Sequence, residues 1–181
     1  MDEHVVLTLV TIAGVGATFA GFSGVVAVFD RRAHGEWYPE ELFRLTNMLV
    51  MSLGACLVSL VPMLEEFFGI HEATQWTGAS LILGAFCLVY WSIANRLRRG
   101  VTRARPGLLS PWAQVVVNAC LVGAILLQAL NVAEVLVVRG AGSFVAGLWL
   151  LLIAAGLQFA FLVLIPLSPG GGDDPADDPA P

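Results

Sequence analysis

Five stretches of this chain, residues 5–29, 42–64, 76–95, 112–138 and 143–166, each run for 20 residues or more with almost no charge. At about 1.5 Å of rise per residue, each can cross the roughly 30 Å hydrocarbon layer of a bilayer as a helix. Barrel strands would instead show alternating segments of about ten residues. Composition supports the same reading: 57% of the residues are hydrophobic, 13% are charged and mean hydropathy is +0.81. A soluble domain carries about 25% charged residues. The sequence therefore predicts an all-α integral membrane protein, a single domain of five transmembrane helices over residues 1–168. An acidic Gly/Pro/Asp tail, 169–181, has nothing to bury and is expected to be disordered.

Boundary signals agree with these spans. In "EWYPEEL", Pro39 suits the first turn of a helix, and Glu40 and Glu41 suit its positive end. In "LLSPW", Ser110 can cap and Pro111 can open the fourth span. Trp37, Tyr38, Trp76, Trp91 and Trp112 fall near span ends, at headgroup depth. All nine cations are arginine. Arg31, Arg32 and Arg44 flank the first loop, and Arg96, Arg98, Arg99, Arg103 and Arg105 crowd the third. The second loop has none and the fourth has Arg139 alone. The excess of arginine on inner loops sets orientation, so loops one and three are expected to be cytoplasmic, with the N-terminus outside and the C-terminus inside. The opening "MDEH" lacks the basic n-region of an export signal, and the first span is expected to be retained. A lysine-free, alanine-rich chain points to a high-GC bacterium and its plasma membrane.

Composition also excludes chemistry. Without lysine there is no Schiff base and no P-loop. His4, His34 and His71 lie outside the long apolar runs, which disfavours a haem held within the bilayer. Cys56, Cys87 and Cys120 sit inside spans as small hydrophobes, with no CxxC spacing for a disulfide framework or zinc. "GFSG" at residues 21–24 matches the GxSG of intramembrane serine proteases, but no span carries a histidine base. No enzyme and no cofactor are expected.

The first span instead carries small residues four apart in two neighbouring rows: Ala13, Ala17, Gly21 and Gly16, Ala20, Gly24. Small residues so spaced let another helix backbone come close. The partner helix could belong to the same protomer or to another, and a narrow pore could form between copies. Thr8, Thr11 and Thr18 could line such a pore or bond back to their own backbone. The fourth span holds Gln114, Asn118, Gln128, Asn131 and Glu134, which fall on one broad side at a 3.5-residue period. Polar groups at membrane depth should face protein or water. Gln128, Asn131 and Glu134 are a candidate polar path, with Glu134 either bonded near the outer surface or titrating in a conduction path. Asn47 and Gln158 are possible cross-helix partners.

Two loops complete the inventory. "EEFFGIHEATQ" gathers Glu65, Glu66, His71 and Glu72, without a metal-binding spacing, and is read as solvated charge. The five arginines of the third loop are read as contacts to anionic lipid headgroups of the inner leaflet, each contributing about 1 kcal/mol. A short loop offers no surface for nucleic acid. Two functions follow as expectations. One is a small homo-oligomeric channel or permease. The other is a structural or accessory subunit that docks on a membrane partner protein and transports nothing itself.

Overall fold

The five apolar stretches fold as helices packed side by side in the computed structural model. It describes residues 1–34, 39–104, 111–135 and 140–164, with side chains for 1–28, 42–100, 112–135 and 140–161. Six helices are present among them: α1 (Glu3–His34), α2 (Pro39–Ser59), α3 (Val61–Phe67), α4 (Glu72–Ala104), α5 (Pro111–Ala133) and α6 (Ala141–Leu164). Five segments are long and apolar enough to cross a membrane, Glu3–Val28, Leu42–Phe67, Glu72–Gly100, Trp112–Ala133 and Ala141–Phe161. The protein is thus all-helical and multi-pass. The side chains at positions 31, 32, 39–41, 103 and 111 lie outside the described residues. So do Trp37, Tyr38, Arg105, Ser110, Arg139 and the tail 169–181.

Four spans depart from the expected ends: α1 runs on to His34, which puts positions 31 and 32 on the helix and not on a loop, α5 stops at Ala133, five residues short of 138, and the second and third differ more. The second span is not one helix. It breaks at Leu60 and resumes as α3. Pro62 has no N–H to give the Val58 carbonyl, and its ring crowds that carbonyl. The amide of Leu60 turns back to Leu57 O at 3.2 Å instead. The third span runs on well past its apolar part. Arg96, Arg98, Arg99 and Arg103 are not on a loop but on the last turns of α4, which ends at Ala104. Arginine is a good helix former, so the segment keeps its helical hydrogen bonds after leaving the apolar layer.

Each helix buries one stripe. On α5 the buried positions include Gln114, Val117, Leu121, Ala124, Gln128 and Asn131, a spacing of three and four alternately, with Ala113 beside the first. On α6 they include Phe144, Leu148, Leu151, Ala155 and Gln158, and on α4 Trp76, Ala79, Leu83, Cys87 and Tyr90. This is the 3.5-residue repeat of helices that pack at a shallow angle. α2 and α6 sit at the centre and touch each other. α1 lies against both, and α4 and α5 close the other side. The outside is apolar, with Leu7, Leu53, Leu57, Leu81, Val89, Ile93, Leu126 and Ile153 exposed. Seven amide and hydroxyl side chains, Asn47, Ser52, Ser59, Gln114, Gln128, Asn131 and Gln158, are among those buried. Polar inside and apolar outside is the distribution expected where lipid is the solvent.

Candidate functional site

Within the protomer the glycines of α1 have different surroundings. An added Cβ at Gly16 would stand 2.6 Å from Ser52 O and 3.0 Å from the Cys56 amide nitrogen, so here the backbones of α1 and α2 touch. Gly21 and Gly24 meet nothing within 4 Å, and neither does Gly14. Ala17 is exposed and Ala13 and Ala20 are half-buried. Of the three glycines in the two rows, Gly16 closes on a neighbour and Gly21 and Gly24 stay open within the protomer. Most exposed positions of α1 past its first turn follow their own order: Leu7, Gly14, Gly21 and Val28; Val10, Ala17 and Gly24; Thr11, Thr18 and Val25; Phe22, also exposed, flanks them with its ring against Phe159. Each set repeats every seven residues, so together they form one stripe along the helix. The stripe is small at its centre and bulkier at its ends. The hydroxyls of Thr8, Thr11 and Thr18 donate to the carbonyls of His4, Leu7 and Gly14 at 2.7–2.8 Å. They are satisfied within the helix.

The polar side chains of α5 separate. Asn131 is fully buried, and its Nδ2 donates to Ser80 Oγ on α4 at 2.8 Å and to Gly140 O at 3.3 Å. Its Oδ1 accepts from the Gly140 amide at 3.1 Å. One side-chain amide thus holds α4, α5 and the start of α6 together. Gln128 Nε2 donates to Ser143 O at 3.1 Å. The same nitrogen lies where a Cβ on Gly147 would be, and a Cβ added at Gly84 would stand 3.3 Å from Gln128 Cβ. The glutamine is therefore clasped between two glycines on opposite helices. Glu134 does not share this face. α5 ends at Ala133, and Glu134 takes the left-handed region at φ 54°. The amide of Val135 then bonds Leu130 O at 3.3 Å, the Schellman closure usually made with glycine in Glu134's position. Glu134 is exposed at the helix end, where it lines a cleft of about 400 Å³ with Asp2, His71, Glu72, Trp76 and Gly140.

That end of the bundle is acidic. The α-ammonium of Met1 donates to Glu66 Oε1 at 2.9 Å, and this bond holds its pKa above the ordinary range. Glu66, His71 and Glu72 are exposed, whereas Glu65 lies over Gly78. Among the described residues no group of three or more His, Cys, Asp or Glu side chains is arranged to hold a metal ion.

The opposite end joins residues that the sequence offered separately, with Tyr90 as the partner of Asn47 that it did not single out. Arg44 is 5% exposed, and its Nη1 reaches Phe161 O at 3.4 Å, a carbonyl of the last turn of α6. A cation there meets the negative end of the helix and one of its orphan acceptors. Tyr90 donates to Asn47 Oδ1 at 2.7 Å, tying α4 to α2, and Trp91 Nε1 donates to Asn118 Oδ1 at 3.1 Å, tying α4 to α5. Above these two bonds, α4 and α5 part to leave a groove of about 760 Å³ that opens toward the outside of the bundle. Its α4 wall bears Arg96, Arg98 and Arg99. No family model, curated protein or solved structure matches the chain.

Proposed function

We propose that the protein is a non-enzymatic, self-associating multi-pass protein of a bacterial plasma membrane, with its N-terminus outside and its C-terminus in the cytoplasm. It serves as a structural or accessory subunit without transport of its own. The observation that carries this reading is the exposed stripe of α1 with its seven-residue repeat, small at Gly14, Ala17, Thr18, Gly21 and Gly24. In lipid, a groove of small residues favours a close helix–helix contact through packing alone. A second copy offers the matching surface by symmetry. The buried amides of α5 support a subunit rather than a conduit, because Gln128 and Asn131 bond to neighbouring helices of the same chain.

A second reading, a homo-oligomeric channel or permease with α1 around the axis, draws on Thr11 and Thr18, whose side chains are exposed on the same stripe. Native mass spectrometry from lipid nanodiscs tests the assembly. The expected result is an oligomer that Gly21→Leu reduces to monomer, and a monomeric wild type would refute it. Ion flux into liposomes then separates the two functions. Silent liposomes support the subunit reading, and a flux abolished by Gly21→Leu would replace it with the channel.

A further inference from the structure

We propose that the groove between α4 and α5 binds one anionic phospholipid, its phosphate taken by Arg98 with Arg96 and Arg99 and its chains laid along Val115, Ala119 and Val122. This goes beyond a diffuse attraction of arginines to the inner leaflet. It rests on the membrane-spanning fold and not on the α1 contact.

The α5 wall of the groove is Val115, Asn118, Ala119 and Val122, one helical stripe. Val115, Ala119 and Val122 are exposed, and they form an apolar surface open to lipid. The deep polar groups are already satisfied. Trp91 Nε1 donates to Asn118 Oδ1, Asn118 Nδ2 donates to Gln114 O at 2.8 Å, and Asn95 Nδ2 donates to Trp91 O at 3.0 Å. Arg98 differs. Its side chain is half-buried between the helices, and its Nε is enclosed with no hydrogen-bond acceptor. A buried guanidinium N–H calls for an acceptor, and phosphate matches its planar fork. No described carboxylate supplies one, because Asp2, Glu3, Glu65, Glu66, Glu72 and Glu134 gather at the other end of the bundle. Along α4 alone, Glu72 and Arg98 stand about 39 Å apart. The groove thus places cations at its mouth and apolar surface deeper in, with the polarity of a phospholipid.

Native mass spectrometry of the full chain, released from nanodiscs of equimolar phosphatidylglycerol and phosphatidylcholine, tests the site. One phosphatidylglycerol per protomer is expected to be retained in preference. Arg98→Gln should lower that retention about fivefold or more. Ala119→Trp keeps every arginine, lies on an open face and blocks the groove, so it should abolish retention even where Arg98→Gln fails to fold. Equal retention of the two lipids would overturn the proposal. So would phosphatidylglycerol that survives Ala119→Trp, which would mean that charge alone holds it at an open surface. Displacement of the lipid by millimolar inorganic phosphate would overturn it as well, because the chains would then contribute nothing.

Discussion

Gly16→Ala and Gly21→Ala, the same change five residues apart on α1, should have opposite effects on stability. At Gly16 the new methyl would stand 2.6 Å from a backbone oxygen of α2, against the 3.4 Å at which ordinary contact begins. The obstacle is Ser52 O, which cannot rotate aside as a side-chain tip would. α1 must therefore retreat by about 0.8 Å, the gap between 2.6 and 3.4 Å. A radial gap of about 0.5–1 Å already forfeits a quarter to a half of each dispersion contact along the seam. Overpacking of this kind costs about 1–3 kcal/mol. Alanine's better helix propensity returns up to about 1 kcal/mol. With the full return the net loss is up to about 2 kcal/mol, a factor of up to roughly 30 in the folded population. At Gly21 the methyl meets nothing within 4 Å in the protomer, so only the propensity gain remains. Unfolding by rising SDS mole fraction, at a dilution in detergent where the chain is monomeric and followed through the five tryptophans, measures both. If Gly16→Ala proves as stable as Gly21→Ala, the α1–α2 backbone contact is not made.

Asn131→Leu should destabilise the same preparation by about 1–3 kcal/mol, because it leaves the Gly140 amide and carbonyl without their shared partner; an effect below about 0.3 kcal/mol would show that Asn131 does not staple α5 to α6. Glu134→Gly should raise stability by about 0.5–1 kcal/mol, since glycine adopts φ 54° without a Cβ penalty. A loss there would mean that the Glu134 side chain holds the helix end. Tyr90→Phe removes one buried bond to Asn47 and should cost about 0.6 kcal/mol, the typical value for an interhelical bond in a bilayer; the double variant with Asn47→Ala should add little further through that bond.

Much of the architecture can be read from the chain before folding, because lipid permits few solutions. A run of twenty apolar residues must be helical, and the observed spans keep the expected boundaries within a few positions, apart from the charged ends of the second and third and the end of the fourth, which stops at Ala133. The inward side of α5 is legible for the same reason. Gln114, Gln128 and Asn131 recur at 3.5 residues, and polar groups at that depth have nowhere else to point. What was not legible turns on single contacts. Glycines spaced alike along α1 look equivalent, and only the placement of Ser52 distinguishes Gly16 from Gly21. Glu134 continues the three-residue rhythm of Gln128 and Asn131, but the helix stops one residue earlier with no glycine to announce it. Pro62 signals the break at Leu60, although a proline in an apolar run also fits an unbroken, kinked helix. Arg98 reads in sequence as one cation in a crowd, and only its burial sets it apart from Arg96 and Arg99.

The described side chains of α2, α4, α5 and α6 are laced together through amides, a phenol and a guanidinium, whereas no described side chain of α1 hydrogen-bonds to another helix. α1 is seated by shape around Gly16, with the Met1 ammonium as a tether at its start. Shape alone fixes a distance of approach but leaves sliding and tilting cheap. In a thinning or thickening bilayer, where mismatch costs fractions of a kcal/mol per Å, the four laced helices keep their places and the first helix is the one that adjusts.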